Sequence, residues 1–428
     1  MSILGLIAAP DALAQSSRSS SSRRNTSSHK GGRTTVSGGV FPSWERDVSV
    51  GESVPLPTGR PGHFVPGEAA DIGGLPLGVV PLADGRFATA LAGGDVVFVA
   101  DDATILSRVE TAPCSQAPAV IASNVIATMG RSVARVAPDG ILWSSEQATE
   151  LAIAPRVSLD IVPTISCAMV DGSITTLESA TGHVQWTAQV GATPRAMSLL
   201  ADVLVVATAS GDVVGLDRAD GHELWRANIG TSCSALIADG SAAWVSGRGP
   251  SSRNKDEGPI IARIPLAKAG RTLASGRNWK LRVGGDCDAD PVLLDGLVAF
   301  TCHDGYVHAI DRVKGVGGWR TDLPARAWHV PLLAGGRLDF VLDQTPFIVA
   351  LEAGNGAVLG WSELADEDEI FVGPAAWAGN VTAAATSLGR VVMMRWAWDE
   401  KLKEEDIDPR DHFGGSGSTT GAQGSYRP

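Results

Sequence analysis

DGSITTLESATGHVQWTAQVG, from Asp171 to Gly191, is followed within twenty residues by SGDVVGLDRADGHELWRANIG, from Ser210 to Gly230. Both stretches open on a glycine turn, run into an alternating apolar strand, and turn again at Thr181-Gly182 or Asp220-Gly221. Each then places a Trp, Trp186 or Trp225, five residues ahead of a Gly. Glycine and aspartate turns between short β-prone runs are the signature of antiparallel hairpins. A strand–turn–strand unit written twice in succession makes internal repetition the first thing to test.

Trp residues mark the period. Trp143, Trp186, Trp225, Trp279, Trp319 and Trp361 lie 43, 39, 54, 40 and 42 residues apart. A period near 40 with four strands per unit predicts an all-β propeller of four-stranded antiparallel blades rather than a sandwich. The long interval contains a polar insertion, Gly247 to Gly258, which is the expected cause of its length. Units fall at about 75–112, 113–153, 154–193, 194–230, 231–285, 286–325 and 326–365, the first with Arg108 where a Trp is expected. A last unit, Ile370 to Trp398, carries only three strands' worth of sequence. The missing strand is sought at the other end of the chain, in FPSWERDVSVG (Phe41 to Gly51), with Trp44 as its aromatic. Pairing it into the last blade closes the ring and removes open sheet edges. The count is then eight blades, or seven if the degenerate first unit is not one.

Composition limits the functions available. Gly is abundant at 50, and Trp, at 12, outnumbers Phe at 9 and Tyr at 2, as suits glycine turns around a recurring structural indole. A formal charge of −12 argues against nucleic acid, whose phosphates need a basic face. No apolar run reaches the roughly 18–20 residues of a membrane-spanning helix. Residues 1–15, MSILGLIAAPDALAQ, combine a short apolar run with an Ala-x-Ala site, and are expected to be an export signal lacking its basic start. Residues 16–39, rich in Ser and Arg, and residues 399–428 are expected to be disordered flanks of a propeller spanning 40–398. A periplasmic or otherwise exported protein is the expectation.

The repeat resembles that of the quinoprotein-type (PQQ-like) propellers. Asp171-Gly172, Thr181-Gly182, Trp186 and Gly191 carry the likeness; it recurs at Leu216-Asp217, Asp220-Gly221, Trp225 and Gly230, and at Asp304 to Asp311 with Trp319. The resemblance implies that the repeated Trp docks neighbouring blades, so Trp44, Trp143, Trp186, Trp225, Trp279, Trp319 and Trp361 are expected in that role. Trp225→Ala is expected to cost about 3–5 kcal/mol. Two branches of the family offer two functions. Catalytic members hold a quinone cofactor (PQQ) and Ca²⁺ in the funnel with carboxylates, an amide, an adjacent-cysteine disulfide and a Trp floor. Non-enzymatic, BamB-like members scaffold protein assemblies at the bacterial envelope. Adjacent cysteines and an attached haem motif are missing here, and no Glu/Asn/Asp calcium set falls on matching positions. The expectation is a scaffold without cofactor or metal, with a dehydrogenase or a channel-binding sensor of a small ligand as the alternative.

Candidate chemistry lies where innermost strands meet the channel. Arg156, Arg195, Asp286, Asp288, Asp290, Arg326 and His329 are expected there, with Cys114, Cys233 and Glu369 beside them. Such a ring suits a polar small molecule or a partner's loop, or is a solvated rim of balanced charges. Carboxylates at alternate positions in Asp286-Cys287-Asp288-Ala289-Asp290 share one face of an extended segment and need cations among them. Cys233 and Cys287 open consecutive blades and are a candidate disulfide pair. Nucleophile elbow, P-loop and dinucleotide motifs are missing, which disfavours ordinary hydrolase or nucleotide chemistry. The insertion 247–258 and the acidic run Asp366 to Glu369 are the candidate partner loops.

Overall fold

The computed structural model describes residues 62–158, 162–251, 255–266, 278–327, 329–342, 345–364, 366 and 368–398. Every regular element among them is a strand, and the strands form eight separate four-stranded antiparallel sheets. Blade 1 holds β2 (Pro76–Pro81), β3 (Phe87–Leu91), β4 (Val96–Val99) and β5 (Ile105–Val109). Blade 2 holds β6 (Ala119–Ile121), β7 (Asn124–Met129), β8 (Ser132–Ala137) and β9 (Gly140–Glu146). The opening stretches of sequence make blade 3, β10 (Arg156–Val157) to β13 (Val184–Gln189), and blade 4, β14 (Pro194–Leu199) to β17 (Glu223–Asn228). Between these ends lie β11 (Thr164–Ala168) and β12 (Ser173–Glu178), then β15 (Val203–Thr208) and β16 (Asp212–Asp217). Blade 5 runs through β18 (Ser232–Ala238), β19 (Ala242–Pro250), β20 (Glu257–Pro265) and β21 (Trp279–Arg282). Blade 6 comprises β22 (Val292–Leu293), β23 (Leu297–Thr301), β24 (Tyr306–Asp311) and β25 (Gly317–Asp322). Blade 7 comprises β26 (Leu332–Ala334), β27 (Arg337–Val341), β28 (Phe347–Glu352) and β29 (Val358–Glu363).

The degenerate first unit is a blade, which settles the count at eight. Blade 8 takes three strands from the end of the chain, β30 (Phe371–Ala378), β31 (Val381–Thr386) and β32 (Arg390–Trp398). Its fourth is β1 (Gly62–Asp71), paired from Gly62↔Trp398 to Asp71↔Arg390. Closure by an N-terminal strand therefore holds, but with a different strand. Phe41 to Gly51 and Trp44 lie outside the described residues, and the place meant for them belongs to β1. That strand was hard to read because its GHFVPGEAAD sequence lacks alternation and contains Pro66; a bulge between Pro66 and Ala69 accommodates the irregularity.

Blade position dictates the apolar pattern. Central strands face neighbouring blades on both sides and read as continuous apolar runs; β15, VLVVAT, is buried throughout. Outer strands alternate, as in β13, where Trp186 is the single buried residue. Apolar clusters span consecutive blades, Val205 and Val213 of blade 4 packing with Val245, Ile260 and Ala262 of blade 5. The insertion in blade 5 is also revised: residues 247–250 and 257–260 do not loop out, but extend the β19–β20 ladder to Pro250↔Glu257. Part of the long Trp interval lies instead between Pro265 and Trp279, where blade 4 has only the short turn from Asp217 to Glu223.

Candidate functional site

Within each blade from 1 to 7 the first strand lies innermost and the chain leaves from the outermost, so all innermost strands begin on one face of the ring. This upper face opens on a cavity of about 540 Å³. Arg156, Arg195, Asp288, Asp290 and His329 line it together with Gln116, which the sequence had not singled out. Arg156 spans the channel. Its Nε donates to the Met197 carbonyl of blade 4 at 3.0 Å, and its Nη2 to the Asp290 carboxylate of blade 6. Asp290 also accepts from the Leu236 amide of blade 5 at 3.3 Å, so one side-chain pair ties together four blades. Arg195 is exposed and forms no ion pair with a described residue.

The three alternate carboxylates separate. Asp286 takes the Arg248 guanidinium at 2.8 and 3.0 Å, Asp288 lies 3.4 Å from His303, and Asp290 holds Arg156. Each carboxylate has its own partner, a guanidinium for Asp286 and Asp290 and an imidazole for Asp288. Arg326 is exposed and lies outside the cavity lining. Glu369 is buried, not a free loop charge: Arg390 and Thr386 donate to its carboxylate. Cys287 pairs with Cys302 of its own blade, not with Cys233. Cys233 is a buried free thiol, pushed up to about 12 by burial, as Cys167 also is. Cys114 is buried too. All three behave as small apolar residues rather than nucleophiles.

The period-marking Trp residues occupy the outermost strands, and they fall into two groups. Trp143, Trp186 and Trp319 reach the turn between the third and fourth strands of the next blade. Their Nε1 atoms donate to the carbonyls of Ser179, Arg218 and Ala353 at 2.9, 2.9 and 3.1 Å. Three residues after each acceptor stands a glycine, Gly182, Gly221 or Gly356, with φ of +73°, +79° and +74°. Trp279 rests on Gly315 in the same manner, but the Arg312 carbonyl there accepts from Trp244 at 3.1 Å instead. Trp244 lies on central strand β19, where the period gave no reason to look. Trp225 and Trp361 are placed differently. Trp225 makes no such bond to a described turn carbonyl, but lies against Gly215 and packs on the apolar cluster shared by blades 4 and 5; Trp361 lies 5.6 Å from Phe347. Ahead of Trp361, blade 8 is completed by β1, so no turn joins its last two strands; ahead of Trp225, most of the corresponding connection of blade 5 lies outside the described residues. Arg108 binds Asp95 at 2.9 Å and the Ile72 carbonyl beside blade 8.

At the lower face the innermost strands end in a second cavity of about 540 Å³, lined by Leu82, Val120, Ile121, Pro163 and Trp377 among others. Its wall is largely apolar, whereas the upper cavity mixes charged and apolar side chains. Exposed large apolar side chains gather on the same face. Ile105, Leu106, Ile141, Leu142 and Val184 begin outer strands there, and Val162, Val313, Trp377 and Trp398 lie in its turns or strand ends. The upper face shows Leu75, Val170, Val330 and Leu388.

A family model described as "Outer membrane protein assembly factor BamB" matches residues 92–249 and 238–412. The chain belongs to this PQQ-like propeller family. No curated protein matches the sequence. Among solved structures, BamB from Moraxella catarrhalis is 15% identical with a TM-score of 0.57, covering 78% of this chain and 97% of that one. The computationally designed Ika8 protein is 12% identical at 0.60, covering 79% and 100%. Sqt1 of Saccharomyces cerevisiae is 9% identical at 0.57, covering 78% and 98%. Such distant likenesses show the fold alone, since one propeller architecture hosts unrelated functions. No helix among the described residues is long and apolar enough to cross a membrane.

Proposed function

We propose that this protein is a non-enzymatic scaffold of a cell-envelope assembly, BamB-like in class, that docks a protein partner on its lower face. The carrying observation is the one-sided distribution of exposed apolar side chains, on the same face as the largely apolar cavity that Trp377 lines. Clustered apolar exposure on a folded chain marks an interaction surface, whereas single exposed residues need no explanation. Blades 8, 1, 2 and 3 form the richest sector, with Trp377 in the cavity wall and Leu106 and Leu142 at the rim. Exposed Asp101, Asp102 and Asp139 in the adjoining turns favour a partner segment with basic residues beside its apolar ones. Membership of a family described by an outer-membrane assembly factor supports the class. The Cys287–Cys302 disulfide supports export, since such bonds persist in oxidising compartments.

The quinone-dependent dehydrogenase reading has less support from the channel wall. Among the described residues that line the upper cavity there is no Trp, Tyr or Phe to lie under a planar quinone, and Asp290 is already held by Arg156 and the Leu236 amide. Adding quinone, Ca²⁺ and alcohols to the purified protein is expected to leave an artificial electron acceptor oxidised; its reduction would reinstate the enzyme.

The scaffold reading is tested on the lower face. Trp377→Glu with Leu142→Glu places charge on exposed positions, where substitutions shift stability by about 0.5 kcal/mol or less. The expected result is an unchanged melting temperature and a loss of about thirtyfold or more in partner cross-linking in the native cell, as for hot-spot residues. Equal cross-linking by wild type and variant would remove this face from the proposal.

A further inference from the structure

The Cys287–Cys302 disulfide has neighbours that a purely structural bridge does not need. Cys302 closes β23, Asp304 sits in the turn that follows, and His308 stands on β24. Ligand atoms of these three residues lie within 4.8 Å of one another. Cys287 is outside that group of three but adjoins it, its sulfur being bonded to that of Cys302, and reduction would free it as a fourth donor. Two sulfurs, one imidazole and one carboxylate make a four-donor set of the kind that selects Zn²⁺, which accepts soft and intermediate ligands in tetrahedral order.

Backbone contacts hold the donors in place independently of the sulfur–sulfur bond. The His303 amide donates to the Asp286 carbonyl at 2.8 Å, clamping the segment that bears Cys287 to the turn that follows Cys302. Ser246 donates to the Cys287 carbonyl at 2.5 Å, and the Cys302 amide to the Tyr306 carbonyl at 3.1 Å. Opening the disulfide therefore leaves two thiols side by side. Asp304 is aimed by the Gly284 and Tyr306 amides, each at 3.2 Å, and its Oδ2 lies 2.9 Å from His308 Nε2. Oriented ligands of this kind are the supporting shell that metal sites rely on. His308, Cys287 and Cys302 are each at most 2% exposed, so water competes little for the position between them.

We propose that Cys287, Cys302, Asp304 and His308 form a redox-gated zinc site, closed while the disulfide is intact and opened by reduction. A dithiol reductant supplies two electrons and two protons, becoming a disulfide as the Cys287–Cys302 bond becomes two thiols. Zn²⁺ then displaces both thiol protons to solvent and binds the two thiolates, the His308 imidazole and the Asp304 carboxylate. In the oxidised chain neither sulfur is a thiolate, and the metal finds only two of its four ligands. The site is independent of the docking face, which lies elsewhere on the ring and carries none of these residues.

The test uses the full chain, freed of metal, in oxidised form and after reduction with a phosphine that does not itself bind zinc. Native mass spectrometry and thermal melting are read with Zn²⁺ as the sole added metal. Reduced wild type is expected to retain a single Zn²⁺ and to melt higher with it, while the oxidised chain does neither. Cys287→Ser removes one ligand and should weaken binding by more than the roughly 10–100-fold that loss of an outer-shell partner causes. Replacing Cys114, Cys167 and Cys233 together with alanine should leave zinc retention intact. Failure of reduced wild type to bind, equal binding by Cys287→Ser, or loss of binding in the folded triple variant would each overturn the assignment.

Discussion

Trp186→Ala is expected to lower the unfolding free energy by about 3–5 kcal/mol, as for other buried Trp truncations. The indole is buried against Leu204, Val206, Val214 and Leu216 of blade 4, and its N–H satisfies the Arg218 carbonyl. Truncation leaves a cavity between two blades and an interior carbonyl short of a donor, and two relaxed blades cannot close on it without breaking the ring. Gly221→Ala tests the same joint from the other side. Its φ of +79° disfavours any side chain, and an added Cβ would stand 2.4 Å from the Trp186 ring. Trp225→Ala should cost roughly half as much as Trp186→Ala, since Trp225 is only half-buried and its N–H finds no described acceptor. The sequence alone had assigned it the full value. Urea midpoints of the three variants read the contrast directly; equal losses for Trp186 and Trp225 would show that glycine-turn docking is not what holds the blades together.

That contrast also shows what kind of information the chain exposes to reading. Turn chemistry is local: Asp171 accepts from the Ser173 amide two residues on, and Gly172 takes φ of +86°. Such turns recur with the Trp residues, so blade boundaries could be placed from sequence. Partnerships across the ring have no local trace. Asp290 meets Arg156 from 134 residues away, and Trp244 reaches a carbonyl 68 residues on from a strand whose pattern is otherwise simply buried. Cysteine counting likewise could not choose Cys302 over Cys233 as the partner of Cys287, because the choice depends on which segments a hairpin brings together. The lower apolar face was equally hidden. Ile141 and Leu142 look like ordinary strand residues until the topology places them on one rim of the ring with Ile105 and Leu106.

Ring closure gives the second large effect. Arg337→Ala is expected to destabilise the protein by about 3–5 kcal/mol, the usual consequence of leaving one member of a buried ion pair alone. Arg337 binds both oxygens of Asp339, at 2.5 and 2.8 Å, and the Asp339 side chain is 0% exposed. The guanidinium also lies over Trp396 at 4.3 Å and Phe64 at 5.1 Å, which joins blade 7 to the two strands that complete blade 8. Phe64 stands on β1, so the same residue that neutralises a buried acid also fastens the N-terminal strand. Burial lifts the Asp339 carboxyl above the usual carboxylate range, against the pull of Arg337. Without Arg337 that lift must grow, and a raised folded value means that stability is fully present below the unfolded value, near 3.9, and is lost as pH rises through the folded one. The deficit of Arg337→Ala relative to wild type should therefore widen from acid toward neutral pH. Arg337→Met with Asp339→Leu removes both charges and should recover much of the loss, since an apolar pair of similar volume carries no desolvation penalty. Urea unfolding across that pH range separates the contributions. A deficit that stays constant with pH would assign the effect to lost stacking on Trp396 and Phe64 rather than to the stranded carboxylate.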